Sequence, residues 1–282
     1  MILIIESGST KTEWRYIAGR NQAYESFFSD GINPYYQSAE TIANTQKSTL
    51  ERIASKTIQH VFYYGTGITD KAKSSLIEQV LRPYIGQANI TVENDLVAAG
   101  ISLCGTEPGI ACILGTGANS GYFEAGKLIE QIPPLGFWLG DEGSGANLGK
   151  RLILAYLHHD LPTELRDSFH KRFGALSRLD IVEHAYQKEF PNRWFATFSK
   201  FLFDHRKHPF CYSLIEMAFQ DFCQLYLVKY EAAKSVPIHF TGSVAFYYSD
   251  ILKRVVTSFG LRIGIISEAP MAGLTLFHKK MI

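Results

Sequence analysis

Ile2-Leu-Ile-Ile-Glu-Ser-Gly-Ser-Thr-Lys-Thr12 and Ile110-Ala-Cys-Ile-Leu-Gly-Thr-Gly-Ala-Asn-Ser120 share one plan: a short apolar run that ends in a turn of glycine and hydroxyl residues. Such a run predicts a strand buried on both faces. Outward from the first run, strands are predicted near 12–18 and 22–28, turning at Gly19-Arg20-Asn21. A helical stretch follows at about 38–55, then a strand at 61–64, a helix at 70–82, a strand at 90–92 and a helix from Asp95. This order recurs from 110. Strands at 110–114, 120–123 and 127–131 lead to a helix near Ser144 and to aromatic-rich helices up to about 234. A strand at 236–240, a helix at 244–255, a strand at 262–266 and a helix at 271–280 complete the second copy. The second half repeats the first with a large helical insertion. Two mixed α/β lobes imply a cleft between them, where small ligands bind.

Composition narrows the function classes. The 282 residues carry 28 Lys+Arg against 27 Asp+Glu, a formal net charge of +1. That balance gives no reason to expect a nucleic-acid or acidic-membrane partner. The basic run His205-Arg206-Lys207-His208 reads as a solvated loop. Cys104, Cys112, Cys211 and Cys223 form no CxxC, and none of the nine histidines falls in an HExxH. Reduced thiols, a start without a basic leader and no membrane-length apolar run point to a cytoplasmic protein.

The two glycine turns occupy equivalent places in the repeat. Backbone N–H groups in such turns can form an anion-binding concavity. Ser9, Thr10 and Thr116 add hydroxyls and Lys11 a cation, so the pair could hold the phosphates of one nucleotide. Each turn alone also reads as an ordinary hairpin turn. A Walker loop is excluded by spacing. A dinucleotide fingerprint is excluded because Gly115-x-Gly117 leads into a hairpin rather than a helix.

Seven segments in order resemble the N-acetylglucosamine kinase branch of the acetate and sugar kinase, Hsp70 and actin superfamily. Ser7–Thr12 is similar to its first phosphate motif and Gly115–Ser120 to its second. Thr241-Gly-Ser-Val-Ala245 resembles the adenosine motif, and Glu93–Ala99 the segment with the catalytic aspartate. Gly136-Phe-Trp-Leu-Gly-Asp-Glu-Gly-Ser144 matches the sugar-site loop. Gly31-Ile-Asn-Pro34 resembles a sugar-contacting turn, and Ala269–Leu274 the start of the last helix. The resemblance implies two duplicated RNase H-like lobes, the actin-like ATPase fold, with the ligand cleft between them. The lobes would be 1–104 and 105–282, with the insertion at about 144–234 and the last helix packing back on the first lobe.

The implied activity is ATP-dependent phosphorylation of an amino sugar, first N-acetylglucosamine to its 6-phosphate. Glucosamine, N-acetylmannosamine and N-acetylmuramic acid stay open as substrates. Asp95 would be the general base, although aspartate at a helix start also reads as a plain N-cap. Gly8, Ser9, Thr10, Lys11, Gly115, Thr116 and Gly117 would hold the ATP phosphates. Thr241, Gly242 and Ser243 would hold the adenosine. Asn33, Asn119, Gly136 and Asp141 would hold the sugar, with Asn33 alternatively a turn residue. Trp138 reads as core rather than as a sugar platform. Glu6 stands where the family has aspartate. It would act on Mg²⁺ through water, and its extra methylene shifts the metal geometry. The helical insertion offers a face for a homodimer. Two other readings compete: an activator ATPase like those serving benzoyl-CoA reductases, and a sugar or nucleotide sensor without turnover.

Overall fold

The computed structural model describes residues 1–8 and 10–281. The first half contains β1 (Ile2–Ser7), β2 (Lys11–Ile17), β3 (Tyr24–Asp30), α1 (Ala39–Thr45), α2 (Lys47–Ala54), β4 (His60–Gly65), α3 (Lys71–Ile85), β5 (Asn89–Asn94) and α4 (Asp95–Leu103). The second contains β6 (Gly109–Leu114), β7 (Ala118–Glu124) and β8 (Lys127–Glu130). Its helices are α5 (Gly136–Leu139), α6 (Gly145–Leu157), α7 (Thr163–Phe173), α8 (Arg178–Tyr186), α9 (Pro191–Thr197), α10 (Ser199–Asp204) and α11 (Pro209–Leu225). Then come β9 (Ile238–Thr241), α12 (Ser243–Tyr247), α13 (Ser249–Ser258), β10 (Ile263–Ser267) and α14 (Met271–His278). Two compact units result. One holds Met1–Glu107, Glu124–Leu128 and Ala269–Ile282; the other holds Pro108–Phe123 and Ile129–Glu268.

In the first unit the sheet order is β3-β2-β1-β4-β5. The β1–β2 and β2–β3 pairs are antiparallel, whereas β1–β4 and β4–β5 are parallel. The period of two along a strand explains why β1 is apolar throughout. Leu3 and Ile5 enter a core with Trp14, Leu50, Tyr63 and Leu81, and Ile2 and Ile4 enter another with Ala98, Met271 and Leu274. Helix α14 packs on α4. Arg15 ties it to the sheet by donating to Thr275 Oγ1 at 2.9 Å.

The stretch expected as one helix at 38–55 is two. Gln46 leaves the helical conformation (φ −99°, ψ 5°) and its Nε2 donates to Asp30 O at 3.0 Å. The stretch at 244–255 likewise breaks, at Tyr248, whose hydroxyl donates to Ser199 O at 2.5 Å.

The second unit repeats the plan, with sheet order β10-β9-β6-β7-β8. One core joins Ile110, Cys112 and Leu114 of β6 to Phe169, Phe201, Phe219 and Phe222 of the inserted helices. All four cysteines are buried and none is in a disulfide. Among the described residues no helix is long and apolar enough to cross a membrane.

Candidate active site

In the first unit, the register aligns Ser7, Gly65 and Asn94 across β1, β4 and β5. The carboxyl ends of three parallel strands thus lie in one row, the edge at which open α/β sheets bind ligands. The first glycine turn leaves one end of the row. Gly8 N–H donates to Lys11 O at 3.0 Å, so this amide shapes the turn. Ser7 Oγ is 2.7 Å from Thr12 Oγ1 and accepts from Ile32 N at 2.8 Å, tying the turn to Gly31–Pro34. Thr10 and Lys11 are exposed. Ser9 lies outside the described residues. Asn33 is buried, and its Oδ1 accepts from Tyr35 N at 3.0 Å. Its carbonyl therefore builds the turn, as one of the two sequence readings held.

Asp95 begins α4 at the other end of the row. The N-cap is Asn94, whose Oδ1 accepts from Val97 N at 3.0 Å. Asp95 is thus the first helical residue and does not serve as the cap. Burial raises its pKa, while the amides of Leu96 and of Asp95 itself pull the other way. Glu6, half-buried on β1, has its pKa raised to about 7. Burial is the main cause, the charges of Asp95 and Glu13 add to it, and Lys11 opposes it. Glu13 is held by Arg15 at 2.5 Å.

In the second unit three sequence-separated pieces meet. Gly242 adopts φ +113° and lies so close to the second turn that an added Cβ would stand 2.4 Å from Leu114 O and 3.1 Å from Gly115 N. That conformation and that clearance require glycine. Asp141 is buried, and its Oδ1 accepts from Ala118 N at 3.2 Å. A Cβ on Gly117 would meet Asp141 Oδ2 at 3.1 Å. The first amides of α6 donate to the turn as well, Gly145 N to Gly115 O at 2.8 Å and Ala146 N to Thr116 O at 3.1 Å. Gly115 N–H is spent on Gly117 O at 3.0 Å. Asn119 lies on β7, and its Oδ1 accepts from Gln131 Nε2 at 3.0 Å. Gly136 opens α5 with φ +71° and no atom within 4 Å of where its Cβ would be. Thr241 is buried, its Oγ1 accepting from Ser267 Oγ at 3.1 Å.

Beside Ser243 is a cavity of about 460 Å³. Val244, Tyr247, Tyr248, Phe203, Lys200 and the ion-paired Arg172 and Asp204 (2.6 Å) contribute to its wall. Ser243 and Val244 lie in the Thr241–Ala245 segment singled out from sequence, and the rest of the wall comes from α7, α10 and the end of α12. Sequence reading missed Tyr226, whose hydroxyl donates to Glu142 Oε2 at 2.8 Å across 84 residues. No local signal marks that partnership. Lys150 lies near Glu142 and Asp141 and donates to Phe137 O at 3.1 Å; burial lowers its pKa. Trp138 corrects an expectation. It is 48% exposed, not core, and stacks at 5.2 Å and 3° on Tyr186, itself 75% exposed.

Among solved structures, a Porphyromonas gingivalis protein provisionally named an N-acetylglucosamine kinase is 40% identical over 99% of each chain, with a TM-score of 0.93. A Chromobacterium violaceum protein of the same provisional name is 17% identical over 98% of each chain, with a TM-score of 0.78. A ROK family glucokinase from Streptomyces griseus, solved with glucose and AMPPNP, is 14% identical over 99% of this chain and 98% of that one, with a TM-score of 0.54. The last two likenesses concern the fold alone. No family model and no curated protein matches the chain.

Duplicated five-stranded mixed sheets with a glycine turn after each first strand define an actin-like ATPase fold. The chain belongs to the N-acetylglucosamine kinase-like family of sugar kinases within that superfamily.

Proposed function

We propose that this chain transfers the γ-phosphoryl group of ATP to the 6-hydroxyl of an amino sugar, N-acetylglucosamine in the first place. The observation that carries the reading is Asp95: a half-buried carboxylate at a row of parallel strand ends, next to Asn94, which is the N-cap of α4. The sugar oxygen attacks the γ-phosphorus. The new O–P bond forms as the bond to the leaving ADP oxygen breaks, and the hydroxyl proton passes to Asp95. A positioned carboxylate contributes about 10²–10⁴-fold. Asp141, Asn119, Gly136 and the Asn33 amide would hold the sugar. Thr10, Lys11 and the turn Gly115–Gly117 would hold the phosphates. Thr241, Gly242 and Ser243, with the adjoining cavity, would hold the adenosine.

Mg²⁺ fits the residues present. Burial, and after it the charge of Asp95, disfavour the ionised form of Glu6, and a hard cation would favour it. Among the described residues no three His, Cys, Asp or Glu side chains form a metal cage. Mg²⁺ is commonly held by one or two carboxylates, water and substrate phosphates. Once bound, the ion would neutralise charge on the triphosphate. Glu6 would orient its water shell.

ADP release would be measured with MgATP and N-acetylglucosamine, glucosamine, N-acetylmannosamine, N-acetylmuramic acid, glucose or no sugar. The expected result is release that depends on one amino sugar and falls by about 10²–10⁴-fold in Asp95→Asn. Sugar-independent release would point to an activator ATPase. No release with any sugar would point to a sensor.

A further inference from the structure

Between the first phosphate turn and Asp95 lies a segment with no role so far: Gly65-Thr66-Gly67, directly after β4. Strand β4 is the middle member of the parallel row β1-β4-β5. Because Ser7, Gly65 and Asn94 are in register, the residues that follow them, Gly8, Thr66 and Asp95, leave the row side by side. Thr66 is anchored there, its N–H donating to Ser7 O at 3.0 Å. The next residue, Gly67, has φ +78° and lies against the Asn33 turn. A Cβ on Gly67 would fall 2.0 Å from Asn33 Oδ1. Thr66 is therefore flanked on its two sheet sides by the phosphate turn and Asp95, and its own loop is pinned to Asn33.

The Thr66 side chain is half-buried. The hydroxyls of Ser7 and Thr12 are spent on the protein: Ser7 Oγ with Thr12 Oγ1 and Ile32, and Thr12 Oγ1 with Asp30 O at 2.9 Å. Thr66 Oγ1 makes no hydrogen bond to any described residue. A hydroxyl offers one donor and two acceptor lone pairs, which complements a sugar hydroxyl. No protein partner competes for it, so a ligand that displaces water can use it.

We propose that Thr66 is a sugar-binding residue whose hydroxyl hydrogen-bonds a ring hydroxyl of the acceptor, beside the one facing Asp95. The proposal rests on the kinase reading and adds to it a specificity contact from β4. Thr66→Val keeps the shape and removes the hydroxyl; Thr66→Ser keeps the hydroxyl. Thr66→Ala serves as a second deletion should valine lower the melting temperature. Calorimetry of N-acetylglucosamine binding without nucleotide and steady-state kinetics would be run on all four proteins.

Loss of one neutral hydrogen bond predicts that Thr66→Val weakens sugar binding and raises the sugar KM about 3- to 10-fold. The KM for MgATP should stay within about twofold, and Thr66→Ser should resemble the parent within about threefold. An unchanged sugar Kd in the valine or alanine protein overturns the proposal. A rise confined to the MgATP KM also overturns it, by assigning the hydroxyl to phosphate. A parent protein that turns over sugar while its Thr66 variants bind sugar normally defeats this proposal alone. A parent protein that binds no amino sugar defeats the kinase reading as well.

Discussion

Glu6 is a carboxylate whose ionisation is disfavoured first by burial and then by the charge of Asp95. For Glu6 the result is a pKa raised from 4.5 to about 7. The folded chain therefore holds this proton more tightly than the unfolded chain. The stability that goes with it is complete below about pH 4.5 and is lost as pH rises through about 7. Melting temperatures recorded from pH 4.5 to 8 should fall across that window. Glu6→Gln, which cannot ionise, should flatten the fall. Mg²⁺ should act in the opposite sense, since it favours the ionised form, and should raise the melting temperature most at the alkaline end. An equal slope in parent and Glu6→Gln would show that Glu6 is not the titrating group. Sequence reading identified the residue type and its departure from the family's aspartate. It could not reveal the burial that governs the proton, because burial comes from the whole sheet.

Helix α6 joins two parts of the candidate site and packs on a third element. Its first amides bond the second glycine turn, its N-cap Ser144 ends the loop from Gly136, and it packs on α9. The packing is close because Gly149 has no side chain: a Cβ there would lie 1.8 Å from Phe195 O. Protein interiors have no slack to absorb that overlap. Gly149→Ala should force α6 and α9 apart and cost about 1–3 kcal/mol, read from denaturant midpoints at an unchanged m-value. A loss below about 0.5 kcal/mol would mean that the helices separate without strain. The sequence pattern predicted a helix beginning near Ser144 but not its neighbour. Gly149 reads locally as a weak helix residue, and only the partner carbonyl explains it.

The molecule builds separate cores in its two units. Cys104 belongs to the first unit, and Cys112, Cys211 and Cys223 to the second. All four are buried, and burial pushes the thiols of Cys104, Cys211 and Cys223 up to about 12. A thiol reagent at pH 8 should therefore find no reactive cysteine in the native protein and four after unfolding in denaturant. Rapid reaction of one or more thiols under native conditions would contradict that packing.

Most of the fold was legible because strands and turns write themselves locally. Apolar runs such as Ile2–Ile5 and Ile110–Leu114 report burial on both faces, and glycine clusters report where the chain turns. The repeated order of elements then implied duplicated sheets. The motifs around Asp95, Gly115 and Asp141 were equally local. Other features needed coordinates, because each depends on atoms distant in sequence. Backbone conformation at Asn94 decides that it, and not Asp95, caps α4. Where the helix breaks at Gln46, the side chain bonds the carbonyl of the sequence-distant Asp30. The stack on Tyr186 accompanies an exposed Trp138, although aromatic character alone had suggested core. The same holds for Thr66: its sequence is an ordinary turn, and only the in-register ends of β1, β4 and β5 set it beside Asp95. Local chemistry determined which residues could serve a phosphoryl transfer, and tertiary structure decided which of them remain uncommitted, because a side chain's availability depends on every neighbour that might bind it first.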